Sequence, residues 1–126
     1  IVNDISERAW QKERGGQWIK GKSIAGPCGP YLVTKDEIKN INNINLSLDL
    51  NGERKQTGNT ERMIFNFDFL ISHISQFMTL YPGTIITTGT PAGTAMEMSD
   101  PRFLQNGDKL SLKVDFLGEQ NQLIKE

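Results

Sequence analysis

The stretch Leu46-Ser47-Leu48-Asp49-Leu50-Asn51-Gly52-Glu53-Arg54-Lys55-Gln56-Thr57 decides the fold class of this chain. Leucines alternate with Ser47 and Asp49, which is the period of a half-buried β-strand. Asn51-Gly52 follows at once, and these two residue types accept the positive φ that a tight hairpin turn demands at both central positions. The spacing predicts a return strand over residues 53–57, and its polar side chains suit the edge of a sheet.

Working outward toward the C-terminus, Phe67, Leu70, Ile71, Ile74, Phe77 and Met78 recur at three- and four-residue intervals. That period predicts an amphipathic helix over residues 67–80, with Asp68 near its start and Tyr81-Pro82-Gly83 as its stop. The β-branched run Thr84 to Thr88 predicts a strand, and Gly89 to Gly93 a tight turn. After a turn at Asn106-Gly107-Asp108, the alternation of Leu110, Leu112, Val114 and Phe116 predicts the last strand.

Toward the N-terminus, Tyr31 to Thr34 reads as a short strand, and the glycine- and proline-bearing segment 17–30 as loop. A short helix is expected between Asp4 and Arg14, with Ser6 as N-cap, Glu7 in its first turn and Gly15-Gly16 as its end. Ile1-Val2-Asn3-Asp4 reads as the end of a strand with no turn before it, so the chain is expected to be part of a longer protein. The result is a single domain over residues 1–126, α+β in class and rich in β-structure, with one good helix.

The composition excludes several function classes. A hydrophobic fraction of 37% and a mean hydropathy of −0.44 describe neither a disordered chain nor a membrane protein. Net charge is −1 and the charges are interspersed, so the basic stripe of a nucleic-acid binder is missing. Cys28 is the only cysteine, and it has no partner for an internal disulfide. These features suggest a cytoplasmic protein that engages neither nucleic acid nor membrane.

Four places could carry chemistry. Asp4 offers a carboxylate where a strand meets a helix; hard cations take such oxygen ligands, although a carboxylate there can equally cap the helix. Gly16 to Ser23 formally satisfies the phosphate-loop spacing, but no buried strand precedes it and Gly26-Pro27 follows too soon for a helix. Lys22 can instead supply positive charge to an anionic substrate, or simply be solvated. In Thr87-Thr88-Gly89-Thr90-Pro91-Ala92-Gly93, small residues let a ligand approach the backbone and hydroxyls and amides can bind a carboxylate, although an ordinary turn has the same composition. His73, the one histidine, has no nucleophile placed beside it, so a catalytic triad is not expected.

Taken in order, several segments resemble the fumarylacetoacetate hydrolase family. They are Asn3-Asp4-Ile5-Ser6-Glu7-Arg8, Gly21-Lys22-Ser23, Gly29-Pro30-Tyr31-Leu32-Val33, Asn51-Gly52 with Gln56 and Gly58-Asn59-Thr60, and Met63-Ile64-Phe65. Leu70-Ile71 with Ile74-Ser75, Leu80-Tyr81-Pro82-Gly83, Thr88 to Gly93 and Gly107-Asp108 complete the set. Each piece is weak alone; the ordered set is specific and spans almost the whole chain.

The resemblance implies a mixed β-roll, a homodimer, and a magnesium-type ion (or manganese or calcium) held by one aspartate and two glutamates. Asp4 matches the aspartate, and the glutamates belong to a Glu-x-Glu segment upstream of this sequence. Lys22 matches the family's catalytic lysine, while Gln11 and Thr90 match substrate contacts. The implied activity is hydrolysis of a small β-dicarbonyl oxo-acid through an enolate. Isomerisation or decarboxylation of a related 2-oxo-dienoate on the same scaffold, or a non-catalytic β-rich binding domain, are the alternatives. Two departures stand out. The loop between Ser23 and Gly29 is about two residues shorter than the family's, and the family's acid/base His–Glu pair also lies upstream. The resemblance therefore implies that this chain alone is inactive.

Overall fold

A computed structural model describes residues 1–17, 21 and 26–125. Its elements are helix α1 (Arg8–Lys12), strands β1 (Asn45–Leu50) and β2 (Glu53–Asn59), helix α2 (Phe67–Ser75), and strands β3 (Lys109–Val114) and β4 (Gly118–Leu123). The four strands form one antiparallel sheet in the order β2-β1-β3-β4. The β-rich α+β reading holds, and β2 lies at a sheet edge as its polar residues suggested.

The Asn51-Gly52 turn forms as expected, with φ of 52° and 84° at its two central residues. Register pairs Leu46 with Val114, Leu48 with Leu112 and Leu50 with Leu110, so the alternating leucines of two strands share one face. Leu50, Leu110 and Leu112 are the buried centre of that face, and Ile1, Leu48 and Ile124 pack around them. The opposite face is polar: Arg54 pairs with Asp49, and Ser111 donates to Glu119 at 2.9 Å.

The β1–β2 ladder contains a bulge. Leu48 pairs with Gln56, but Asp49 pairs with Arg54, so Lys55 is the extra residue. Without it, Lys55 would stand opposite Leu48. Because side chains alternate between faces, the one-residue shift turns Gln56 and Gly58 onto the leucine face instead.

Several expectations are corrected. Helix α1 is capped by Glu7, whose carboxylate accepts from the Ala9 N–H at 2.7 Å, not by Ser6; it ends at Lys12. Residues 31–34 form no strand, and Tyr31 and Leu32 stay exposed. Residues 84–88 form none either: a β-branched run favours extended backbone but needs a neighbouring strand to pair with. Helix α2 stops at Ser75, five residues early, where the N–H groups of Gln76 and Phe77 turn back to His73 and Ile74. Phe116 lies beyond β3, in the turn to β4, with φ of 67°. Strand β4 was missed because Gly118-Glu119-Gln120-Asn121-Gln122-Leu123 carries almost no apolar signal.

Helix α2 buries no residue among those described. Phe65, Phe69, His73 and Phe77 form a row at four-residue spacing, with ring centroids 4.6, 5.9 and 5.1 Å apart; the first two contacts are stacked and the last is edge-on. His73 is thus part of an aromatic ladder on an exposed helix.

Asp108 ties the last loop to the first hairpin. Arg102 donates to it through both terminal nitrogens, at 2.8 and 3.0 Å, and the Asn51 amide and Gln105 N–H donate at 2.8 Å each. The Arg102 guanidinium, followed by the Asn51 amide and the Gln105 N–H, holds the Asp108 carboxyl well below the usual carboxylate range. A depressed folded-state pKa contributes stability above the unfolded-state value of about 3.9, and the contribution fades as pH falls through the folded value. Asp108→Asn should therefore lower Tm at pH 7 and flatten the decline in Tm between roughly pH 5 and pH 2. Thermal melts across that range check it; parallel curves for parent and variant would contradict the role.

Candidate active site

Two loops are held on the leucine face by a single row of side chains. Register places Gln56, Leu48, Leu112 and Gln120 side by side across all four strands. A glutamine stands at each end of the row. The strand spacing sets their backbones about 14 Å apart.

At the β4 end, the Gln120 amide donates to the carbonyls of Ile1 and Gly29 at 2.9 and 2.7 Å. Asn3 donates to Gln122 at 2.7 Å, and its own N–H reaches the Pro27 carbonyl at 3.1 Å. These bonds fix the segment that leads into Asp4, which is exposed. Asp4 lies three residues before the Glu7 N-cap, so it does not take the alternative role of capping α1.

Gln11 follows on α1 and is only 1% exposed. Its Oε1 accepts from Arg8 at 2.6 Å, while its Nε2 is buried with no hydrogen-bond partner among the described residues. A buried amide N–H without an acceptor costs roughly 1–3 kcal/mol, so this donor is well suited to a ligand oxygen. Gly21 presses against it. Its N–H bonds to Gln17, its carbonyl accepts from Glu7 at 2.9 Å, and a Cβ there would collide with Gln11 Cγ. Gln11 and the residue preceding Lys22 are thus brought together, while Lys22 itself lies outside the described residues.

At the β2 end, the Gln56 Nε2 donates to Thr90 Oγ1 at 2.9 Å and to the Pro91 carbonyl at 2.8 Å. The loop rests on backbone. A Cβ at Gly58 would stand 2.8 Å from Pro91 Cβ, and one at Gly93 (φ 104°) would collide with the carbonyl oxygen of the bulged Lys55. Beyond it, Glu97 accepts from the N–H groups of Gly93 and Thr94 at 2.6 and 2.9 Å, and those two bonds lower its pKa. Thr90 therefore sits exposed on an anchored loop.

The segment leading into Asp4 is anchored at the β4 end of this row and the loop of Thr90 at the β2 end, while Gln11 packs within α1 and against Gly21. A shallow depression lies elsewhere, bordered by Asp49, Gly52, Lys109, Ser111 and Asn121. Cys28 is exposed, and its backbone bridges Val2.

The fumarylacetoacetate (FAA) hydrolase C-terminal family model matches residues 1–125. The chain belongs to that family. A Burkholderia ambifaria protein with a provisional hydrolase name is 50% identical over 125 residues, covering 97% of this chain and 44% of its own length. The fumarylacetoacetate hydrolase of psychrophilic Exiguobacterium antarcticum superposes with a TM-score of 0.92 at 34% identity, over 98% of this chain and 45% of that one. The 2-hydroxyhepta-2,4-diene-1,7-dioate isomerase of Mycobacterium marinum gives 0.83 at 32% identity, over 98% and 46%. This family member therefore spans less than half the length of each of these three relatives. The family includes hydrolases and isomerases, and its members are generally dependent on a divalent metal.

For such an ion, the donor set here is incomplete. Among the described residues no three His, Cys, Asp or Glu side chains come together, so Asp4 by itself does not make a cation site. No helix among those residues is long and apolar enough to cross a membrane.

Proposed function

We propose that the protein hydrolyses a C–C bond in a small β-dicarbonyl oxo-acid of the acylpyruvate or fumarylacetoacetate type. Water adds to the acyl carbonyl, the bond from that carbon to the neighbouring CH2 breaks, and the electron pair passes into the enolate of the oxo-acid fragment. Protonation of that enolate completes a carboxylic acid and an oxo-acid: a 2-oxo-acid from an acylpyruvate, a 3-oxo-acid from fumarylacetoacetate. Family membership supports the reaction class, and the observation that carries the reading at the site is the anchored hydroxyl of Thr90. Thr90 holds the substrate carboxylate. The buried Gln11 Nε2 donates to a substrate oxygen, and Lys22 places positive charge near the developing enolate.

The family's dependence on a divalent ion makes magnesium, manganese or calcium part of this proposal, with Asp4 as one carboxylate ligand. A homodimer, implied by the same resemblance, belongs to it too; sedimentation of the full-length protein reads that directly. The likeness to the Mycobacterium marinum isomerase favours a second reading, isomerisation of a 2-oxo-dienoate, which passes through the same kind of enolate.

Thr90→Val keeps the side-chain shape and removes the hydroxyl. Losing a hydrogen bond to a charged group costs about 1.5–3 kcal/mol, a roughly ten- to hundredfold fall in kcat/KM. Steady-state kinetics of the full-length protein on an acylpyruvate, followed by loss of its enol absorbance, give the answer. Unchanged kinetics would return Thr90 to the role of a turn residue.

A further inference from the structure

We propose that Gln56 is a positioning residue that sets the hydrogen-bonding sense of the Thr90 hydroxyl. The inference rests on the reading of Thr90 as the carboxylate contact. The Pro91 carbonyl can only accept, so the Gln56 atom 2.8 Å from it must be the amide nitrogen. The same nitrogen lies 2.9 Å from Thr90 Oγ1. It has two hydrogens and no accepting lone pair, so it donates one to each oxygen. Thr90 Oγ1 is therefore committed as an acceptor toward Gln56. Among the described residues its own proton has only the Pro91 carbonyl nearby, at 3.4 Å, and Gln56 already occupies that oxygen at a shorter distance. The proton is left to an incoming acceptor on the exposed side of the loop, which is what an anionic substrate requires.

The support behind Gln56 is specific. The Lys55 bulge turns it onto the leucine face, opposite Leu48, and a Cβ on Gly93 would stand 3.3 Å from its Cγ. A glutamate of the same shape reverses the polarity: ionised, it accepts the Thr90 proton and repels a carboxylate. Protonated, it can donate once more.

The test measures dissociation constants of pyruvate and of methyl pyruvate by NMR titration of the full-length protein. Gln56→Glu should weaken pyruvate about tenfold or more at pH 7.5 and leave methyl pyruvate nearly unchanged. The pyruvate loss, taken relative to the parent at each pH, should shrink as pH falls toward the ordinary glutamate range. Gln56→Met combined with Thr90→Val should add little to the loss of Thr90→Val alone, because both changes remove one interaction and neither adds a charge. Gln56→Met covers the case in which the glutamate variant does not fold; it should weaken pyruvate less and show no such pH dependence. Equal losses on both ligands, or additive losses in the double variant, would make Gln56 a mere loop anchor and overturn the proposal. Normal pyruvate binding in Gln56→Glu, or in Gln56→Met if it stands alone, overturns it while a Thr90→Val loss keeps the reading of Thr90. Normal pyruvate binding in Thr90→Val overturns that reading, and this inference with it.

Discussion

Gly93→Ala is expected to lower stability by about 3–5 kcal/mol and to abolish most carboxylate-dependent activity, although it adds a single methyl group. Two costs combine. The φ of 104° lies where side chains are strained, and the new Cβ would collide with the Lys55 carbonyl oxygen. Backbone cannot rotate out of the way as a side chain can. The loop must lift from β2, and the bonds from Gln56 to Thr90 and Pro91 go with it. Gly89→Ala is the control. Its φ of 91° imposes comparable strain, but nothing stands within 4 Å of the added carbon, so about 1–2 kcal/mol is expected. Denaturant unfolding of both variants measures the difference. Equal losses would mean that the loop is not seated on the bulge.

Lys22→Met should lower kcat by roughly 10²–10³-fold with little change in Tm. The residue lies outside the described region, so the expectation rests on its family match and on the seat of its neighbour, Gly21, against Gln11. Methionine keeps most of the bulk and removes the charge. If the ammonium acts on negative charge that develops as the C–C bond breaks, its loss falls on kcat more than on substrate binding. Steady-state kinetics beside thermal melts distinguish the cases. A near-normal kcat would make Lys22 a solvated lysine and remove it from the proposed machinery.

The sequence by itself determined the elements whose signal is local. Asn51-Gly52 selects a hairpin because both residues accept positive φ, and the leucines on either side choose the buried face by their period. The ordered motifs were likewise enough to reach the family, because many weak matches in sequence constrain one another.

What the tertiary structure decided is everything that depends on a neighbour. Residues 84–88 have strand composition but no strand to pair with, whereas the polar residues of β4 become a strand because β3 offers its edge. The helical period persists to Met78, yet α2 ends at Ser75, since periodicity marks a possible face and not what covers it. Most consequential is the bulge at Lys55. Its composition is unremarkable, and strict alternation from the turn would have put Lys55, not Gln56, on the leucine face. One extra residue inverts that assignment, and the glutamine that holds Thr90 comes into place only when β2 is paired against β1.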